Sequence, residues 1–232
     1  MSKYKAISFL KTRDLFQSLY IGIMVFLLLF SLALLIFFKE WIYFYYLLCV
    51  LFSMIMMLVY NGYYYLIFDT APEFIRNKNF FGIPTTFVPM FYLFFAKEFL
   101  MYGYDKDGVL KRFTIWLSSI TVVVILLFLI LHLSFYQYRY FTYLLIFCLC
   151  SLTFVLVFRS IKRKYKPAWL FLFATVPVLC LGVLETFSDL HHIPVQLMHT
   201  ICYSATVFEM FVLTLGLALR YKIAQDEKKK LQ

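Results

Sequence analysis

Carboxylates and imidazoles gather in one short stretch of this chain, where Glu185, Asp189, His191, His192 and His199 fall within fifteen residues. Groups of these types receive a ligand, relay a proton or hold a metal ion. No spacing among them is diagnostic of zinc, so the expectation is no metal and no cofactor. The five cysteines, Cys49, Cys148, Cys150, Cys180 and Cys202, lie inside apolar runs without CxxC or Cys/His spacing and read as small buried hydrophobes. A Gly-rich phosphate loop, a GxSxG elbow and an HExxH motif are all absent, and no catalytic residue is assigned. One further carboxylate, Glu209, stands alone in the apolar run Ile193–Leu219. If that run is a membrane helix, Glu209 must face the bundle interior and be protonated, hydrogen-bonded or paired.

The elements that position these groups are legible as charge-free runs. Leu15–Phe38, Trp41–Phe68, Asn79–Ala96, Phe113–Tyr138, Tyr140–Phe158 and Pro167–Leu184 each hold 18 or more residues without Asp, Glu, Lys or Arg, and Ile193–Leu219 is interrupted only by Glu209. A bilayer core needs about 20 apolar residues per helix. The runs do not alternate as strands do and are too long for membrane strands, so the fold class is an all-α membrane protein, a seven-transmembrane helix bundle. Composition agrees: 64% of residues are hydrophobic, 15% are charged and mean hydropathy is +0.84. Leu15–Phe38 is long enough to span and no small-residue cleavage site follows it, which argues against a cleaved signal peptide. The chain divides into a basic segment 1–14, a transmembrane domain 15–219 and a helical or coiled-coil beginning at 220–232.

Connections are short. Lys39-Glu40 forms a tight hairpin, Asp69–Lys78 with Pro72 a loop on the opposite side, and Met101–Arg112 and Arg159–Lys166 the next links on the hairpin's side. Ser188–Pro194 closes the last turn, and Pro84, Pro89 and Pro177 are expected to kink their helices. Fifteen of the 22 basic residues then fall on the side of the C-terminus, leaving Lys3, Lys5, Lys11, Arg13, Arg76, Lys78 and Arg139 opposite. The positive-inside rule gives N-out, C-in. The four basic residues before the first helix pull the other way, a conflict that a translocated upstream domain relieves. The net charge of +10 thereby belongs to topology and attraction to anionic lipids rather than to nucleic acid. In this orientation Asn61, His132 and Glu185 lie near the outer ends of helices two, four and six. With Asp189, His191, His192 and His199 they form an outer mouth for an unknown small-molecule ligand or an upstream extracytoplasmic domain.

Helix seven does not finish at the membrane edge. Leu217, Tyr221, Ala224, Lys228 and Leu231 recur at spacings of four and three, the start of a heptad pattern in a lysine-rich stretch. Arg220 and Tyr221, at the exit, and Glu209, within the membrane, are the candidate transmission residues, and a homodimer through the extension is the expected partner arrangement beside membrane lipids.

Several short motifs fall in a telling order: Tyr20-Ile21-Gly22, Tyr60-Asn61-Gly62, Phe94 through Leu100 (FFAKEFL), Tyr165-Lys166-Pro167-Ala168, Phe208-Glu209 and Leu217-Ala218-Leu219-Arg220. With them the chain resembles the bacterial seven-transmembrane receptors with diverse intracellular signalling modules, over Leu15–Gln232. The resemblance implies an extracellular sensory domain before helix one and, after helix seven, a coiled coil leading to a histidine kinase, a cyclase or a phosphatase. Neither flanking domain lies within these 232 residues, and Ala168-Trp169 stands where the pattern has Ala-Arg. The unfinished heptad favours continuation beyond Gln232 over a stand-alone relative. The expected function is a non-enzymatic sensor and transmission domain. The alternative is a membrane-embedded metal-dependent hydrolase or lipid-modifying enzyme built on the outer His/Asp/Glu residues.

Overall fold

The computed structural model describes residues 3–60, 82–100, 108–131, 135–191 and 195–231. Seven helices account for them: α1 (Lys3–Phe38), α2 (Trp41–Tyr60), α3 (Gly82–Leu100), α4 (Gly108–Leu131), α5 (Phe135–Lys162), α6 (Pro167–His191) and α7 (Val195–Leu231). Among the described residues there is no strand. Leu15–Phe38, Trp41–Val59, Leu144–Lys162 and Thr200–Asp226 are long and apolar enough to cross a membrane, and Arg112–Leu127 and Pro167–Cys180 are shorter apolar stretches. The chain is an integral multi-pass membrane protein.

Surface chemistry points the same way. Leu15, Phe37, Trp41, Phe113, Trp116, Ile130, Phe147 and Trp169 all stand well exposed. In water such a collection of apolar side chains would drive association, whereas in a bilayer it is the lipid contact. Buried hydroxyls are satisfied without water by turning back on their own helix. Ser118, Thr121, Thr153 and Thr175 donate to the carbonyls of Thr114, Leu117, Leu149 and Phe171 at 2.8, 2.9, 3.0 and 2.8 Å.

The helices form two compact groups, Phe30–Arg163 and Met1–Leu29 with Lys164–Gln232, and α1 contributes to both. In the first group α3 is central, packing on α2, α5 and α4. Rings tie it to α2: Tyr45 stacks on Phe94 at 5.2 Å, Tyr46 meets Phe95 at 5.4 Å, and Phe52 lies against Phe87 and Phe91 at 5.0 and 5.2 Å. The pairing numbers fall on one helix as they rise on the other, so α2 and α3 are antiparallel. Ser160 Oγ donates to the Leu100 carbonyl at 3.0 Å, which satisfies an orphan acceptor at the end of α3 and sets the C-terminal ends of α3 and α5 side by side. Phe95, Ala96, Phe99 and Leu100 just before it are buried.

Turns at both ends of this group use left-handed backbone at lysine. Lys39 (φ 52°) ends α1, its N–H returning to the Leu35 carbonyl at 2.9 Å, and Lys164 (φ 59°) follows α5. Lys39 and Glu40 alone link α1 to α2.

Several boundaries differ from the sequence expectation. The α1 helix starts at Lys3 instead of Leu15, α3 continues through Lys97-Glu98 to Leu100, and α4 starts at Gly108, taking Lys111 and Arg112 out of the anticipated loop. The break placed at Arg139 falls inside α5, and Ser188–His191, expected as a turn, are the last residues of α6. In each case charged or polar residues sit on a helix beyond the apolar span, where water meets the backbone's needs as readily as a loop would. Pro84 occupies the first turn of α3, where no helical hydrogen bond is lost, while Pro89 and Pro177 lie within α3 and α6. Cys49 is buried, Cys148, Cys150 and Cys202 are half-buried, and Cys180 is exposed on the surface of α6, which corrects its reading as buried. The remainder of the second expected helix, to Phe68, and the loop at Asp69–Lys78 lie outside the described residues.

Candidate signalling site

The second group is built on the α6–α7 pair and the first part of α1. The two last helices run antiparallel, with Phe173 and Phe208 meeting edge to face at 5.5 Å. Fully buried Ala168, Phe171 and Ala174 mark the inward face of α6. Small residues at such positions let two membrane helices approach closely, the main source of their attraction in lipid.

On α7 Tyr203, Thr206, Met210, Leu213, Leu217 and Arg220 are buried along one seam, flanked by buried Glu209, Val212 and Gly216. Their spacing alternates three and four, the seam of a left-handed helix pair. Glu209 lies beside that seam at 5% exposure and Arg220 closes it at 8%. Glu209 is nine residues past Thr200, where the span begins, or about 14 Å along the axis. The Thr206 hydroxyl donates to the Cys202 carbonyl at 2.9 Å. Beyond Arg220 the helix runs on to Leu231 without a break, and Tyr221 accepts a hydrogen bond from Gln225 Nε2 one turn later. Met210, Leu217, Ala224 and Leu231 recur every seven residues, so the buried seam of the membrane part and the stripe of the extension are one register.

Two polar side chains of α1 were not singled out from the sequence. Gln17 and Tyr20 are 2% and 3% exposed, and the Tyr20 ring lies 4.8 Å from that of Tyr203, which is itself 7% exposed. A polar pair three residues apart at the head of an apolar run was the available signal. Such a pair shares one helix face, and lipid would reject it unless that face met protein.

The outer-mouth residues fare unevenly. Glu185, Asp189 and His191 belong to the last turns of α6 and His199 to the start of α7, so the backbone brings these four to one end of the hairpin. Asn61, His132 and His192 lie outside the described residues. Among the described residues no three His, Cys, Asp or Glu side chains come together as a metal site. At the other end of the pair, Trp169 is exposed where the resembling pattern carries arginine, and Lys166 and Lys164 are exposed beside it.

Comparison with known families decides what kind of bundle it is. The profile of the family described as 7TM diverse intracellular signalling matches residues 13–220. The chain belongs to that family. Its members' shared region is a membrane sensory domain of signalling receptors, and the match ends at Arg220, within the apolar span Thr200–Asp226 of α7. No curated protein and no solved structure matches the chain. Nothing in the family match supports the hydrolase alternative.

Proposed function

We propose that this chain is the seven-span sensor and transmission domain of a bacterial cytoplasmic-membrane receptor, N-out and C-in, coupling an event at its outer face to an output module through α7. The observation that carries the reading is the length and continuity of α7. Its 37 residues extend about 55 Å, whereas a bilayer core needs about 20 residues, or 30 Å. A helix of that length with one seam running from Tyr203 to Leu231 transmits a rotation or slide at one end to the other. A ligand or upstream domain that favours one of two α7 positions by a few kcal/mol is sufficient to drive it. The directions of the helices support the alternation that seven spans require: α2 against α3, α6 against α7, and α3 beside α5 at matching ends.

On this reading Glu185, Asp189, His191, His192 and His199, with Asn61 and His132, receive the outer signal, and Glu209, Arg220 and Tyr221 transmit it. The lysine-rich extension pairs with a second copy to form a parallel coiled coil. The test joins the chain at Gln232, in heptad register, to a kinase or cyclase whose activity depends on a coiled coil. One residue inserted after Tyr221 rotates the following helix by about 100° and should change output. Seven inserted residues nearly restore the face and should restore output. Indifference to both insertions in a folded, membrane-inserted protein would sink the proposal.

A further inference from the structure

Resting on the sensor reading above, we propose that Gln17 and Tyr20 of α1 form with Tyr203 of α7 a hydrogen-bonding latch, through which displacement of the first helix changes the position of the last. Four observations carry it. The Tyr20 and Tyr203 rings are 4.8 Å apart at 40°, both buried, and Gln17 lies one turn earlier on the same face of α1. Tyr20 is the sixth residue of the span Leu15–Phe38, and Tyr203 is the fourth of Thr200–Asp226. First and seventh helices cross a membrane in the same direction, so a contact near both N-terminal ends belongs to one face, the face that receives the signal. The α1 helix already runs for 12 residues before its span begins, which gives an upstream motion a continuous lever to Gln17.

The fourth observation makes the contact a switch rather than a clamp. Gln17 Oε1 and the Tyr20 hydroxyl are buried and have no hydrogen-bond partner among the described residues. The shorter side chains Thr206, Thr153 and Thr175 avoid that by donating to a carbonyl one turn back. Gln17 and Tyr20 therefore keep an unmet demand in this arrangement, and a buried polar group without a partner raises the energy of the state that holds it. A tyrosine hydroxyl both donates and accepts, and an amide oxygen accepts. A slide of α1 along α7 of about one residue, or about 1.5 Å, changes which groups of α7 these two side chains face. Two arrangements result, one with these groups unpaired and one with them paired, and they differ in the relative height of α1 and α7.

The direction of each substitution follows. Removing a group that is unpaired here and paired in the other arrangement favours the one described here. Tyr20→Phe and Gln17→Leu should both move output in the same direction, each by about fivefold, the population change made by one membrane hydrogen bond. Combined, they should shift it little further than one alone, because they break one network. Gly22→Ala is the control: Gly22 is exposed, its added Cβ meets nothing within 4 Å, and output should not change.

The experiment measures output of the Gln232 chimera in native membranes, with insertion and thermal stability followed for each variant, and includes the one-residue insertion after Tyr221. Same-direction, non-multiplicative shifts support the latch. Two independent multiplicative shifts, shifts of mixed sign, a shift from Gly22→Ala equal to the others, or no shift from either latch variant while the insertion still changes output, overturn it and leave the sensor reading standing. If the insertion also has no effect, the sensor reading itself fails and the latch with it. Should Gln17→Leu not insert, Gln17→Met takes its place in the comparison.

Discussion

Glu209 shows how a single side chain shapes this protein. A carboxylate at 5% exposure and about 14 Å into its span is met by protein rather than by bulk solvent, and on the proposed reading its energy depends on where α7 sits. Glu209→Gln keeps a donor and an acceptor at the same position and should preserve folding and most of the output balance. Glu209→Leu removes the polar contact and should shift the balance by about 1 kcal/mol, several-fold in population, without unfolding the bundle; output of the chimera and a thermal melt check both. Ser160 offers a second residue-scale test. Ser160→Ala leaves the Leu100 carbonyl without its cap and should lower stability by about 1 kcal/mol, read as an earlier unfolding transition in detergent or lipid. Glu209 was legible in the sequence because a carboxylate in an apolar run can go nowhere but inward. Gln17 and Tyr20 were missed because a glutamine and a tyrosine near a membrane edge are equally at home facing headgroups.

At the scale of the helices, the order and number of elements followed from one constraint, that lipid admits no unsatisfied backbone. Their ends did not. Helical structure at Lys3–Asp14, Lys97-Glu98, Ser188–His191 and Arg220–Leu231 lies where charges are no longer excluded, and apolar composition is silent there. Inward faces were illegible for a related reason: lipid and protein core are equally apolar, so Leu15 and Leu19 are exposed while Met24 and Leu27 a turn or two later are buried, with nothing in residue type to tell them apart. The α2–α3 pair gives the element-scale prediction. Phe52 touches both Phe87 and Phe91, and Phe52→Leu keeps the bulk while losing both ring contacts, which should cost about 1 kcal/mol. A denaturation midpoint unchanged from the parent protein would show that α2 is held by other contacts.

For the molecule as a whole, orientation decides which end of α7 listens. A reporter fused after Gln232 should be cytoplasmic, and one placed within residues 188–194 should be external; the 15-to-7 division of basic residues motivates both. Opposite labelling would invert the assignment of the receiving face. The purified protein should carry little or no zinc, and stoichiometric metal lost on changing His191, His192 and His199 to Ala would favour metal chemistry at that end.

The central claim, that the state of the membrane seam sets the position of the cytoplasmic end of α7, is tested most directly by a distance. Spin labels on Lys166 and Gln225, both exposed, report α7 against the start of α6 in a background with the five cysteines replaced, reconstituted in lipid. The account predicts two distance populations whose ratio moves several-fold on Glu209→Leu, more than 20 Å along the helix from Gln225. An identical distribution in parent and variant, with output of the chimera changed, would contradict it.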